Sequence, residues 1–164
     1  MSRDRVVKTI VLKAPLERVW NAITDYRLFG VWFGVVIDGP FVPGKEATGR
    51  IEPTQVDAEV ARHQEAYKGL PWRARVDCIE PMKRFSFYWH PYAIDPDADY
   101  SKEPMTLVTF ELQDTDGGIL LTVTESGFQL LPADRCEQAL KSSGTGWGHV
   151  AKLLEKYLAL DLKV

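Results

Sequence analysis

The chain has 164 residues, of which 45% are apolar and 26% charged, an ordinary balance for one globular domain spanning 1–164 with a sizeable core. Its net charge of -3, with both signs interspersed, leaves no electrostatic footprint for nucleic acid. Short apolar runs such as Val35-Val36-Ile37 and Ile119-Leu120-Leu121 exclude a membrane span, which needs roughly 20 residues. Met1 to Arg5 leads into a strand and not into an apolar signal core. Val6, Lys8, Ile10 and Leu12 alternate with Val7, Thr9, Val11 and Lys13, which predicts a first strand. Ala14-Pro15 ends it. Leu16, Val19, Trp20 and Ile23 then recur at helical spacing up to Thr24-Asp25. A short second helix is expected over 26–32, a short strand over 33–37, and another strand over 45–52 after the turn at Pro40, Pro43 and Gly44.

Residues 53–71 are polar, with weak helical propensity over 56–67 and a poor apolar face. A connection this long inside a compact domain is often a lid or a binding loop. Four strands follow at 72–80, 83–90, 105–113 and 119–126, joined by turns at Glu80-Pro81 and Asp116-Gly117-Gly118 and by a second long connection, 91–104. The last segment, 132–160, has Pro132 at a favourable first-turn position. Cys136, Leu140, Trp147, Val150, Leu154 and Tyr157 step along one face. Gly144, Gly146 and Gly148 each weaken a helix by roughly 1 kcal/mol relative to alanine, so a kink or break is expected near Gly144. Since these glycines lie inside a helix, they form no dinucleotide fingerprint, and close packing of Trp147 on the sheet is the expected reason for them.

Parity along the strands sorts the side chains. Phe85, Phe87 and Trp89 share a face, as do Val108, Phe110 and Leu112, and as do Leu121, Val123 and Glu125. On 72–80 the inward set is Ala74, Val76 and Cys78, with Ile79 out of phase, which suggests a bulge. Glu125 is the candidate catalytic residue. One reading makes it a ligand-contacting group, or a base if desolvated. The other, which the sequence favours, is a strand-end carboxylate that caps backbone donors or reaches solvent. His63, His90 and His149 fall in three separate elements, and Cys78 and Cys136 have no zinc spacing, so no metal site and no cofactor are expected. Surface or loop-packing histidines and buried, inert thiols are the expected roles, and two isolated thiols fit a cytoplasmic location. Ser126-Gly127 lacks the surroundings of a nucleophile elbow.

The order of strand, helix pair, six strands and long helix resembles the START-like, or SRPBCC, helix-grip superfamily. Ala14-Pro15-x-x-x-Val19-Trp20, Trp32-Phe33, Phe41-x-Pro43-Gly44, Trp89, Glu125-Ser126-Gly127-Phe128 and Gly146-Trp147 before Leu153-Leu154-x-x-Tyr157-Leu158 narrow the resemblance to one branch. That branch is the bacterial one related to the carboxyl-terminal domain of the heat-shock-protein-90 ATPase activator. The resemblance implies an α+β fold: a curved, mainly antiparallel sheet wrapped around the long carboxyl-terminal helix, with two short helices after the first strand. It also implies a cavity between sheet and helix. Trp32, Phe33, Phe41, Val76 and the three strand faces would line it, with Trp147, Val150 and Leu154 from the helix. Many members carry histidine where this chain has Glu125.

The expectation for function is binding of a small hydrophobic or aromatic molecule with a polar end near Glu125. One alternative is a cyclase, dehydratase or hydrolase acting on a polyketide-like compound, with Glu125 as acid or base and Tyr92 or Tyr100 assisting. The other is a chaperone-associated interaction role, by analogy of fold. At least one long connection is expected to border the cavity mouth or make a homodimer contact. Tyr67, Leu70 and Trp72 are apolar anchors on the first connection, and Tyr92, Ile94 and Tyr100 on the second.

Overall fold

The computed structural model describes residues 5–91 and 99–160. Its strands are β1 (Arg5–Leu12), β2 (Val35–Ile37), β3 (Glu46–Ile51), β4 (Pro71–Glu80), β5 (Arg84–Trp89), β6 (Thr106–Thr115) and β7 (Gly118–Ser126). Its helices are α1 (Leu16–Thr24), α2 (Tyr26–Phe33), α3 (Ala58–Gln64) and α4 (Ala133–Ala159). All seven strands form one curved antiparallel sheet in the order β1-β7-β6-β5-β4-β3-β2. The fold is α+β and of the helix-grip type, as the alternation and the long last helix predicted.

Local sequence explains most boundaries. The α1 helix buries Val19, Trp20, Ala22 and Ile23, the spacing of one helix face. Asp25 ends α1 and caps α2, its Oδ1 accepting the Arg27 N–H at 3.0 Å. The α2 helix extends one residue beyond expectation, through Phe33, because the left-handed conformation that stops it falls on Gly34, at φ 96°. In β3 a Cβ at Gly49 would stand 2.1 Å from the Val36 carbonyl oxygen, so β2 can approach only a glycine there. The register of β4 against β5 shifts between Val76 and Cys78, the bulge that the out-of-phase Ile79 predicted.

One face of the sheet carries the core. Ala74 and Val76 from β4, Phe85 and Phe87 from β5, Val108 and Phe110 from β6, and Leu121 and Val123 from β7 are buried there. They pack with Trp147, Leu154 and Leu158 of α4 and with Phe29 and Trp32 of α2. A smaller cluster of Phe128, Leu131 and Ala139 lies under the first turns of α4. The α4 backbone lies mainly against β1, α2, the 3-10 turn Phe128–Leu130 and α1. The central strands are therefore reached by long side chains and not by helix backbone.

The structure corrects or sharpens several expectations. The α4 helix runs unbroken for 27 residues through Gly144, Gly146 and Gly148. A Cβ at any of the three would meet no atom within 4 Å, so close packing does not account for these glycines. The packing of the Gly-flanked Trp147 comes from its own ring, not from backbone approach. The first long connection holds structure of its own: α3 and a 3-10 turn, Glu65–Tyr67. Asp57 caps α3 through the N–H groups of Glu59 and Val60, a local signal strong enough to fix a helix with no buried residue. Cys78 and Cys136 are free thiols and only half-buried, because each sits at the margin of the core.

A buried carboxylate and the aromatic face around it

Glu125 stands one residue from the end of β7 and is fully buried, at 0% exposure. The expectation that favoured a solvated or backbone-capping carboxylate is thereby overturned. Its Oε2 accepts from Trp89 Nε1 at 2.8 Å and from the Thr106 hydroxyl at 2.5 Å. Its Oε1 accepts from Trp147 Nε1 at 2.7 Å. Three strands and the long helix thus converge on one side chain. Thr106 lies directly opposite Trp89 in the β5–β6 register, and Val108 directly opposite Glu125 in the β6–β7 register. This places Glu125 and its two strand partners at the same end of the concave face.

No cation pairs with Glu125 among the described residues. A carboxylate buried without a counter-charge is costly unless its lone pairs are occupied, and here three donors occupy them. Both indoles are donor-only groups, so the arrangement demands an acceptor between them. The chemistry available to Glu125 is therefore that of a clasp between sheet and helix. In this geometry its oxygens are committed to internal donors.

The clasp holds two rings against each other at a tilt: Trp89 and Trp147 lie 5.6 Å apart, with planes 32° apart. Phe33 touches both, at 6.2 and 6.4 Å, and also meets Trp72 at 6.3 Å and stacks on Phe29 at 4.7 Å. Phe87 and Phe110 continue the set under Trp89 and Trp147. Phe33, Trp89 and Val150 are half-buried, whereas Val76, Phe85, Phe87, Val108, Phe110, Leu121, Val123 and Leu154 are fully enclosed. Trp32 is held differently. Its Nε1 donates to the Ala22 carbonyl at 2.9 Å, which ties α2 to α1. Phe41 packs on Phe85 at 4.9 Å and on Phe29 at 5.6 Å, within the same core.

Both long connections are fastened near this face. Thr54 donates through Oγ1 to the Trp32 carbonyl at 2.9 Å, and Gln64 donates through Nε2 to the Phe33 carbonyl at 3.2 Å. Asp57 pairs with Lys156 of α4, and that ammonium holds the Asp57 carboxyl below its usual range. The first connection therefore backs the end of α2 that presents Phe33. On the second, Glu103 and Tyr100 meet Arg135 in the first turn of α4. The guanidinium Nε lies 3.1 Å from both Glu103 oxygens, Nη2 donates to the Pro91 carbonyl at 2.8 Å, and the charge sits 5.0 Å from the Tyr100 ring centre. Tyr92 and Ile94 lie outside the described residues.

Among the described residues, two buried polar side-chain atoms lack a partner: Trp72 Nε1 and His90 Nδ1. Burial lowers the His90 pKa, with Arg135 and Arg73 acting in the same direction and Glu103 and Asp99 opposing. His63 and His149 are exposed. Among the described residues no three His, Cys, Asp or Glu side chains gather as a metal site would need, and no helix is long and apolar enough to cross a membrane. Thr106, Phe29 and Trp72 are site residues that the sequence reading did not assign to the face. The signals were present: Thr106 is in phase with Val108 and Phe110, Trp72 with Ala74 and Val76, and Phe29 is one helical turn before Phe33.

A curved sheet gripping one long helix through an aromatic layer defines a helix-grip domain of the SRPBCC class. The chain belongs to the family described as "Activator of Hsp90 ATPase homolog 1-like protein", which matches residues 13–159. Among solved structures it is similar to the protein MLL2253 from Mesorhizobium loti, at 25% identity and a TM-score of 0.68, covering 96% of this chain and 99% of that one. CalU16 from Micromonospora echinospora is similar at 20% identity and a TM-score of 0.61, over 94% and 76% of the two chains. DynU16, from the dynemicin biosynthetic locus, matches at 23% identity and a TM-score of 0.66 over 94% of this chain. This chain spans about half of DynU16, 47% of its length. No protein of curated function matches.

Proposed function

We infer that the protein binds a small hydrophobic or aromatic molecule between the concave sheet face and α4. The observation that carries this reading is the state of Glu125. The only buried carboxylate among the described residues is committed to three internal donors. What remains on the face for a ligand is aromatic and aliphatic, the usual lining of a small-molecule site. Entry would pass the half-buried rings of Phe33 and Trp89, with Val150 of α4 on the other side. Binding is favoured over catalysis because a general acid or base must reach the substrate, and the candidate is enclosed. Membership in the family supports the same reading.

Thermal shift against a panel of apolar aromatic metabolites and fatty acids tests it. Apolar aromatics are expected to raise the unfolding midpoint in proportion to log concentration above their Kd. A panel that leaves the midpoint unchanged, together with a ligand-free crystal core filled by side chains, contradicts the reading. Should turnover of any bound compound be found, Glu125→Gln separates the alternatives: turnover that survives the substitution removes Glu125 as acid or base.

A further inference from the structure

Trp72 is 6% exposed, and its Nε1–H has no hydrogen-bond partner. Two more deeply buried indoles behave differently. Trp32 donates to the Ala22 carbonyl, and Trp147 to Glu125. Leaving a buried donor unmade costs about as much as losing a hydrogen bond outright, so native proteins rarely do it without a reason. The ring neighbours of Trp72 are Phe29, Phe33 and Phe87, at 6.1, 6.3 and 6.2 Å, and none offers an acceptor atom. A trapped water would need two to four polar partners, which these rings do not supply. An acceptor carried in by a ligand needs only the one donor.

We propose that the Trp72 Nε1–H is the polar contact of the bound molecule, and that the group it receives is an uncharged oxygen acceptor, a carbonyl on a flat aromatic skeleton. This rests on the ligand-binding reading above and specifies its chemistry. Phe29, Phe33 and Phe87 already pack on the Trp72 ring at 6.1 to 6.3 Å, the separation of rings in contact, so a guest reaches the N–H only when a ring moves aside, and a planar aromatic guest best replaces the ring it displaces. The acceptor is neutral because, among the described residues, no cation stacks on the Trp72 ring and no basic side chain is buried, so an anion desolvated there would have no counter-charge. Phe33 is the half-buried member of the set and the ring that must move for entry. It sits just before Gly34, whose φ of 96° ends α2.

Three shape-matched probes test this. They are 9-fluorenone, fluorene, which lacks the carbonyl, and 9-fluorenecarboxylate, which carries a charge. The wild-type protein is expected to bind fluorenone about tenfold tighter than fluorene, the value of one buried neutral hydrogen bond, and the carboxylate more weakly than fluorene. Trp72→Phe is expected to erase the fluorenone advantage while leaving fluorene within about twofold. If that variant does not fold, nitrogen-15 spectra of the wild type give the same answer. The Trp72 indole resonance, assigned through its proximity to Phe29 and Phe87, should move downfield with fluorenone and not with fluorene. Equal binding of fluorenone and fluorene with an unmoved indole resonance overturns the proposal and leaves the ligand-binding reading intact. Preferred binding of the carboxylate overturns the neutral class. Failure of all three probes to bind overturns the proposal and counts against the binding reading as well.

Discussion

Replacing Glu125 by glutamine changes one oxygen to an NH2 group and keeps the volume, so its effect follows from hydrogen bonding alone. With the amide oxygen at the Oε2 position, the bonds from Trp89 and Thr106 survive and the NH2 faces the donor-only Trp147 indole. With the amide turned over, Trp147 is served. The Thr106 hydroxyl can then rotate to accept, but the Trp89 indole faces an N–H. Either way one buried indole donor is orphaned, at a cost of about 1–3 kcal/mol, and the two remaining bonds lose their charge assistance. Relief from burying an unpaired carboxylate works in the opposite direction. The orphaned donor decides the sign, and we expect a net loss of about 1–3 kcal/mol. For a domain of this size that lowers the thermal midpoint by roughly 2–12 °C. Urea unfolding followed by circular dichroism measures it. A double-mutant cycle with Trp147→Phe sharpens the test. Without the Trp147 N–H the glutamine has an orientation with no clash, so Glu125→Gln should cost at least about 0.5 kcal/mol less in that background. Equal costs in the two backgrounds, or a stabilised single variant, would refute the clasp.

Other outcomes follow from the same structure. Changing Gly144, Gly146 and Gly148 together to alanine should stabilise α4 by about 2–3 kcal/mol, because each added Cβ meets open space; a lower midpoint in thermal unfolding would show that the glycines are required. Burial lowers the His90 pKa, so the neutral form is preferred in the folded state. Stability is therefore full above about pH 6.5 and declines as pH falls through that value toward the folded-state pKa. His90→Gln should flatten that part of a stability-versus-pH curve measured in urea, and an unchanged slope counts against the assignment. Arg135→Met should raise amide exchange at residues 99–103 and cost about 1–3 kcal/mol, since it frees the mostly buried Glu103 carboxylate. Arg135→Lys should not restore protection, because one ammonium nitrogen cannot replace Nε on Glu103 and Nη2 on the Pro91 carbonyl together.

Much of the fold was legible because period-2 and period-3.6 patterns are strong here. Leu121, Val123 and Glu125 on one strand, and Trp147 with Leu154 on one helix, were assigned to the interior from spacing alone, and both are buried there. The role of Glu125 was not legible. Which donors reach a carboxylate depends on the register of β5 against β6 and on the height of Trp147 along α4, and neither is local information. Sequence favoured a solvated end of β7 because an isolated carboxylate is normally exposed; three converging donors reversed that. The helix in the first connection showed in the sequence only as weak propensity over 56–67, for a different reason. Its stability comes from the Asp57 cap and from Thr54 and Gln64 bonding the end of α2, contacts 22 to 31 residues apart in sequence for the latter two. The α4 glycines misled in the opposite direction. Tertiary packing of Trp147, Ala151 and Leu154 holds the helix together across residues of poor propensity.

The most direct test of the binding account is native mass spectrometry, with a crystal structure, of protein purified without denaturation from the organism that makes it. The account predicts a carried-over uncharged aromatic molecule, released on unfolding, with density between α4 and the Phe87–Trp89 face and an oxygen at Trp72 Nε1. A protein of bare chain mass, with side chains filling that space and no aromatic probe binding it, would contradict the account.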